Sequence, residues 1–436
     1  MQFFIPNVLL RLLKSVNSSD EKRVTTAPNK PKLVVFDVEG VLIPRNRFFF
    51  LLGKSLGFIQ LVKVFFFGFL YETGLISLKT ALKHLFIATR GMKTTSLMEV
   101  AAKVPLMPEA TTVFQRLKTE GCKTALITSG LPTMVVKMFA DKLGADISFG
   151  FDVGESDNVL TGEIWGDVIE PNGKLTVLQK LITAECLETK NCVVVADDRN
   201  NASIFLDDAL KIGYNPDFVL RVKADRVVTG GISKVIAAIN GEPKHRGKPT
   251  RNDILREVLH ASGFFMPIIA ALVSVPIVAA FIVLLLGLYL TSEYLRTEGK
   301  RMPLINLITR RAASQNELYQ LVLAPMYFAV GILVTLVVFP APANGAAIAI
   351  FALGDSTASI FGRYFARTSL PFNKDKSLEG SLAGYFFAFI AGCVFVSPVL
   401  AAVGAVIAMF IEVLPLPVND NLLIPLFTGL ALTFLV

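Results

Sequence analysis

Residues 32–44 read KLVVFDVEGVLIP, and the apolar run before the aspartate decides the fold. A continuous apolar run ending in an acid and a turn is the pattern of a buried parallel strand that delivers a side chain at its carboxyl end. The pattern recurs in KTALITSG (123–130) and NCVVVADDRNN (191–201), with helical periodicity between the three. Strands alternating with helices predict an α/β domain with a parallel sheet. Each strand ends in polar or acidic residues, which that topology gathers at one crevice.

Those strand ends supply a phosphoryl-transfer set. Asp37 can attack phosphorus and carry an aspartyl-phosphate. Glu39, two residues on, points to the same side and suits a general acid/base. Ser129, and Lys174 in EPNGKLTVLQ, can hold phosphate oxygens, with Lys174 also offsetting the charge of Asp37. Asp197, with Asp198 or Asn201, completes a Mg2+ site of oxygen ligands. One carboxylate at a strand end is commonly a solvated turn residue, but four such positions in order argue for a site.

With FDVEG, ITSG, Lys174 and ADDRNN in place, residues 32–240 resemble the haloacid dehalogenase superfamily, more closely its phosphoserine-phosphatase-like branch. The resemblance implies a Rossmann-like domain with a helical cap, Mg2+-dependent phosphatase activity, and metal ligands that include Asp37 and the backbone carbonyl of Glu39. Three departures stand out. Glu39 replaces the usual second Asp, Asn201 replaces an Asp, and Asp198 replaces a Gly. Activity is the expectation, with slower or altered chemistry as the alternative.

The cap would span about residues 45–105, and its first part, RFFFLLGKSLGFIQLVKVFFFGFLYETG, is rich in phenylalanine. Core packing accounts for some of this, and contact with a bilayer or a lipid chain is the alternative reading. The GKS at Gly53–Ser55 is not a P-loop, because Phe48 stands where the motif needs glycine.

The whole chain is 53% hydrophobic and 18% charged, with a mean hydropathy of +0.57, too apolar for a wholly soluble enzyme. Cys122, Cys186, Cys192 and Cys393 have no metal-ligand spacing, which fits a reduced cytoplasmic setting without structural zinc. The formal charge is +8, yet only 14 of the 43 Lys and Arg lie from Lys244 onward, and those cluster beside apolar spans. That distribution speaks for membrane orientation and against a nucleic-acid partner. The opening MQFFIPNVLLRLLKSV is amphipathic and basic and lacks a small-residue cleavage site, so a membrane-surface helix is expected there, followed by a linker to residue 31.

A second linker at 241–251 precedes an all-α polytopic membrane domain over 252–436. Pro276 divides 253–296 into two pieces of about 20 residues, each long enough to cross a bilayer. The spans then number seven, near 253–273, 276–296, 319–339, 343–364, 380–399, 400–415 and 421–436. The 14 basic residues fall in three groups, Lys244 to Arg256, Arg296 to Arg311 and Arg363 to Lys376. Seven spans put all three on one side, which the positive-inside rule makes cytoplasmic, together with the α/β domain. Charge near a span is costly and invites a functional reading, above all for Asp355 in LGDSTASIFG.

REVLHASG, RRAASQNE, GDSTASIFGRYFA, KSLEGSLAG and IEVLPLPVNDNLLIP together resemble the dolichol kinase family, which includes polyprenol and phytol kinases and is distantly related to phosphatidate cytidylyltransferases. One departure is Ala366, where glycine is common. The resemblance implies Mg2+-dependent transfer of the CTP γ-phosphate to a membrane lipid alcohol. Asp355 and Asp420 would serve the metal with Glu379 assisting, and Asp355 or Glu379 would act in catalysis. Arg363, Lys376, His260 and Arg311 would meet phosphates or nucleotide, while Gly354, Gly362 and Gly380 permit close backbone approach.

The leading expectation is a bifunctional membrane enzyme, a CTP-dependent lipid kinase fused to a phosphatase acting on a lipid phosphate. One alternative is a CDP-lipid synthase joined to a phosphatase of a soluble phosphomonoester. Another makes the membrane half a transporter or scaffold. Oligomerisation is left open.

Overall fold

The computed structural model describes residues 33–72, 75–242, 249–297, 300, 302, 322, 324–365, 367–370, 373, 376–414 and 419–436. The expected amphipathic N-terminus, its linker and Arg311 lie outside these residues. Of the described residues, those in 30–245 and 291–322 form one unit, and those in 246–290 and 323–436 form the other.

The first unit is built on a seven-stranded sheet in the order β4-β3-β2-β1-β5-β6-β7. The strands are β1 (Leu33–Phe36), β2 (Lys123–Pro132), β3 (Ile147–Ser156), β4 (Val159–Trp165), β5 (Cys192–Ala196), β6 (Leu210–Tyr214) and β7 (Arg226–Val228). All neighbours run parallel except β3 and β4, which form an antiparallel pair at one edge. β1 lies at the centre, with Leu33 opposite both Lys123 and Cys192. Its LVVF and the CVVVA of β5 are buried throughout, as continuous apolar strands must be when both faces are covered. Burial of each Val, Leu or Phe there contributes roughly 1.5–3 kcal/mol. The chain leaves β1 for β2 on one side and reaches β5 on the other, so the crevice at their carboxyl ends is the switch point where such sheets bind ligands.

Between β1 and β2 come α1 (Arg47–Ser55), α2 (Phe58–Glu72), α3 (Leu78–Ile87), α4 (Thr94–Ala102) and α5 (Ala110–Thr119). The first four occupy the stretch expected as the cap. A methyl group on Gly53 would fall 2.9 Å from Val64 Cγ2 and 3.1 Å from Leu61 Cα, so the glycine of GKS is where α1 meets α2. Further on lie α6 (Thr133–Leu143), α7 (Gly173–Ala184), α8 (Phe218–Lys223) and α9 (Lys234–Ile239).

The second unit is helical. α10 (Arg251–Ala261) opens with a capping box between Thr250 and Asp253 and continues through a tight turn into α11 (Phe265–Leu272). α12 (Val275–Thr297), which belongs to this unit as far as Leu290, starts afresh with Pro276 in its first turn, where the missing N–H is tolerated. Then follow α13 (Ala324–Val338), α14 (Ala343–Phe365), α15 (Leu378–Gly392), α16 (Pro398–Val413) and α17 (Asp420–Leu435). α14 is the central helix, with every side chain from Ala343 to Ala352 buried. By length and composition, three stretches could cross a membrane, Arg251–Leu272, Val275–Arg296 and Ala343–Phe365. Four further apolar helices are shorter than the roughly 20 residues a crossing needs. The expected span 380–399 therefore stops at Gly392, because a turn precedes Pro398 and starts the next helix. The start of the expected span 319–339 lies largely outside the described residues. Exposed Phe265, Leu272, Ile277 and Leu284 leave apolar surface outward, and these helices suggest a membrane-associated C-terminal part.

Candidate active site

Leaving β1, the chain turns sharply: Leu42 N donates to Val38 O and Gly40 N to Ile43 O. Gly40 has φ +80°, and a methyl group there would fall 1.9 Å from Asp197 Oδ2. Only glycine satisfies both demands. The turn thus brings β1 and β5 ends together and presents Asp37 and Glu39 to the crevice.

Asp37 is buried at 4% exposure and almost fully bonded. Its Oδ1 accepts from Lys174 Nζ at 3.0 Å and from Val38 N at 2.9 Å, and its Oδ2 accepts from Asn201 Nδ2 at 2.5 Å. Lys174 comes from the first turn of α7 and also donates to Asn201 Oδ1 at 2.7 Å. Asn201 Nδ2 donates to Asp198 Oδ1 at 2.9 Å as well. Asn201 Oδ1, expected from the sequence as a metal-side oxygen, here accepts from Lys174. Lys174 takes its carbonyl, and its amide protons lie between the two carboxylates where an aspartate would add charge.

Asp37, Asp197 and Asp198 each offer a carboxylate oxygen, all within 4.8 Å of one another. Asp197 Oδ1 is buried without a hydrogen-bond partner, while Arg45 pairs with Oδ2, its Nε at 3.1 Å. An orphaned carboxylate oxygen in an all-oxygen set fits a hard divalent cation such as Mg2+. Burial pushes the Asp197 carboxyl up to about 8 against the pull of Arg45.

Glu39 Oε1 is likewise buried and unpartnered, and its carboxyl lies against Gly130 at the end of β2. Burial, reinforced by the charge of Asp37, raises Glu39 to about 8. It is thus protonated at neutral pH and able to give a proton to a leaving group. Ser129 and Lys174 line the same cavity, of about 310 Å³, whose opposite wall is the cap's Phe49, Phe50, Val64, Leu82 and Leu85. Tyr71 of α2 donates to Asn200 Oδ1 and ties the cap to the loop after β5. The sequence reading missed Arg45 and Tyr71. Arg45 sits just past the quoted strand and turn, and Tyr71 has no local signal at all.

In the second unit, side chains of several helices converge on Asp355 of α14, itself 7% exposed. His260 Nδ1 lies 3.7 Å from Asp355 Oδ2 and 3.1 Å from Ser356 Oγ, and its Nε2 lies 3.1 Å from Asn421 Oδ1. Lys376 pairs with the buried Glu412 of α16 and lies 4.0 Å from Asp420 of α17. Asp420, Lys376, Glu412 and Glu257 all act electrostatically on Asp355. Glu257 received no role in the sequence reading, although a buried acid among apolar helices is a strong signal.

Two expected residues are engaged in other contacts. Arg363 pairs with Asp253 at 2.6 Å, and Glu379 accepts from Thr368 N at 3.0 Å. The glycines expected to permit close backbone approach do so between helices. Methyl groups on Gly354 and Gly380 would fall 2.9 Å from Met409 Cε and 2.7 Å from Ala358 O, and Gly362 lies beside Gly380. These glycines form a small-residue seam along which α14 and α15 approach closely. Among the described residues this unit holds no group of three acidic, His or Cys ligands that could hold a metal.

The family model for haloacid dehalogenase-like hydrolases matches residues 31–205. The chain is 32% identical over 111 residues to the phosphoserine phosphatase of Methanocaldococcus jannaschii, covering 26% of this chain and 52% of that protein. It is 30% identical over 172 residues to phytol kinase 1, chloroplastic, of Arabidopsis thaliana, covering 35% of this chain and 55% of that one. It thus spans about half the length of each. A solved phospho-aspartyl intermediate analogue of phosphoserine phosphatase is similar at a TM-score of 0.43 and 23% identity, over 48% of this chain and 99% of that chain. The N-terminal half carries a haloacid dehalogenase-like hydrolase domain with phosphoserine phosphatases among its homologues, followed by a helical half with several apolar helices.

Proposed function

We propose that the chain is a bifunctional membrane enzyme, in which the first unit hydrolyses a lipid phosphomonoester and the second phosphorylates a lipid alcohol from CTP. The observation that carries the phosphatase half is Asp37 held by Lys174 and Asn201 beneath a cavity walled by Phe49, Phe50 and Leu82. An Asp37 carboxylate oxygen bonds to phosphorus as the ester P–O bond breaks, and protonated Glu39 gives its proton to the departing alkoxide. Water then attacks the aspartyl-phosphate while the Glu39 carboxylate takes its proton, releasing phosphate and restoring both acids. Lys174 and Ser129 hold phosphoryl oxygens. A divalent cation held by Asp37, Asp197, Asp198 and the Glu39 carbonyl would supply charge to those oxygens. The apolar cap wall favours a hydrocarbon chain over a small zwitterion on desolvation grounds.

For the second unit, the buried group of Asp355, Lys376, Glu412, Asp420 and His260 supports the kinase reading, as does similarity to a phytol kinase. Lys376 would meet the nucleotide phosphates. Mg2+ carried in by a nucleotide needs only one or two carboxylates, such as Asp355 and Asp420. Both units would face the cytoplasm, where CTP arrives. The test uses purified full-length protein with a prenol and labelled CTP. Label from the γ-position moves to lipid under this proposal; label from the α-position moves if the unit makes a CDP-lipid instead. No labelling of either kind would sink the kinase half.

A further inference from the structure

The cap helix α2 (Phe58–Glu72) leaves one face uncovered. Phe58 is 80% exposed, Ile59 71%, Val62 50% and Phe66 55%. At 100° per residue these four positions fall within about a quarter of the helix circumference. Among the described residues 33–242, four of the ten exposed large apolar side chains lie on this helix. Isolated exposed apolar residues need no explanation, but four aromatic and aliphatic groups on one face do. The opposite face is committed, since Val64, Gly68 and Tyr71 line the phosphatase cavity.

Three observations identify what covers the open face. First, the segment from Arg47 to Glu72 carries Arg47, Lys54 and Lys63 against the single acid Glu72, which suits an anionic lipid surface. Lys63 is exposed on the flank of the apolar face, where a long cationic side chain can reach headgroups while its stem lies on hydrocarbon. Second, Phe58–Gly68 is a run of apolar helix too short to cross a bilayer, the length and character of a helix that lies in the interface. Third, only seven peptide steps, at most about 25 Å of chain, separate Glu242 from Pro249, so the domain is covalently tethered to the segment that continues into the apolar helices.

We infer that α2 docks the phosphatase domain on the bilayer surface, with Phe58, Ile59, Val62 and Phe66 in the headgroup–acyl boundary. The other face of the same helix walls the cavity, so a lipid phosphate would move from membrane to Asp37 along one helix. That route rests on the lipid-phosphate reading; the docking itself does not.

The test uses the full chain reconstituted in vesicles of phosphatidylcholine and phosphatidylglycerol. Trp165 is the sole tryptophan, so a Trp165→Phe, Phe58→Trp variant carries one reporter. With brominated acyl chains, emission from the reporter falls by about half or more relative to unbrominated vesicles, as for residues buried at the acyl boundary. Equal emission in both vesicles overturns the docking. A second arm uses Phe58→Asp with Phe66→Asp. Hydrolysis of p-nitrophenyl phosphate stays unchanged, which shows an intact fold and site. Hydrolysis of a bilayer-borne prenyl phosphate falls about tenfold with lost interfacial binding. If quenching is seen but prenyl phosphate is not hydrolysed even by the wild type, docking stands and the lipid-phosphate reading fails. If both substrates are hydrolysed as by the wild type, the route along α2 is wrong.

Discussion

A methyl group on Gly130 would lie 1.7 Å from Oε2 of Glu39. The end of β2 and the turn after β1 are therefore fitted to each other at the one place where the proposed proton donor sits. Gly130→Ala must displace the Glu39 carboxyl. Since positioned acid–base groups contribute about 10²–10⁴-fold, phosphatase kcat should fall at least about tenfold with an unchanged circular dichroism spectrum. Wild-type kcat in this variant would remove Glu39 from the chemistry.

The raised acids make metal-free stability depend on pH in an uncommon direction. Glu39 and Asp197 sit at about 8 in the folded domain, against ordinary values of 4.5 and 3.8. Between those limits the folded state holds protons that the unfolded chain has released, so the stability these two groups contribute is fully present below about pH 4 and is lost as pH rises through 8. Melting of the metal-free protein should drop from pH 5.5 to pH 8.5, and Mg2+ should restore it most at the upper end. A melting temperature that rises over that window would contradict the burial of these groups.

Lys174 is the buried partner of a buried carboxylate. Lys174→Met leaves Asp37 without its cation, and breaking such a pair costs about 3–5 kcal/mol. Denaturant unfolding should show that loss along with loss of hydrolysis. Lys180→Met, on the same helix but exposed, should leave both within error.

In the helical unit, Gly380→Leu forces a side chain against Ala358 O and Gly362. Overpacking of this kind costs about 1–3 kcal/mol, so the detergent-solubilised protein should lose thermal stability. Hydrolysis of p-nitrophenyl phosphate at low temperature should survive. If stability were unchanged and only nucleotide binding fell, the glycine would belong to a phosphate cradle after all.

How much of this was legible in the sequence follows from what each signal depends on. KLVVFDVEG, KTALITSG and NCVVVADD gave the central strands because a doubly covered parallel strand leaves an uninterrupted apolar run. Asp37, Lys174 and Asp197 followed because strand and helix ends are fixed by those runs. The hydrogen bonds of Asn201 were not legible: which end of its amide faces Asp37 depends on Lys174, 27 residues away. Gly354, Gly362 and Gly380 look alike in sequence whether a phosphate or a neighbouring helix fills the gap. The helix ends at Gly392 and Pro398 were blurred because hydropathy continues through the turn between them.

The most direct measurement is acid-quench trapping of the phosphoenzyme. The full-length protein is mixed with a prenyl monophosphate labelled in its phosphorus, quenched within milliseconds and probed for hydroxylamine-labile label on the polypeptide. Label should appear on wild type, map to Asp37, and be absent from Asp37→Asn, which should also release no phosphate. Equal label or equal phosphate release from Asp37→Asn would contradict the account.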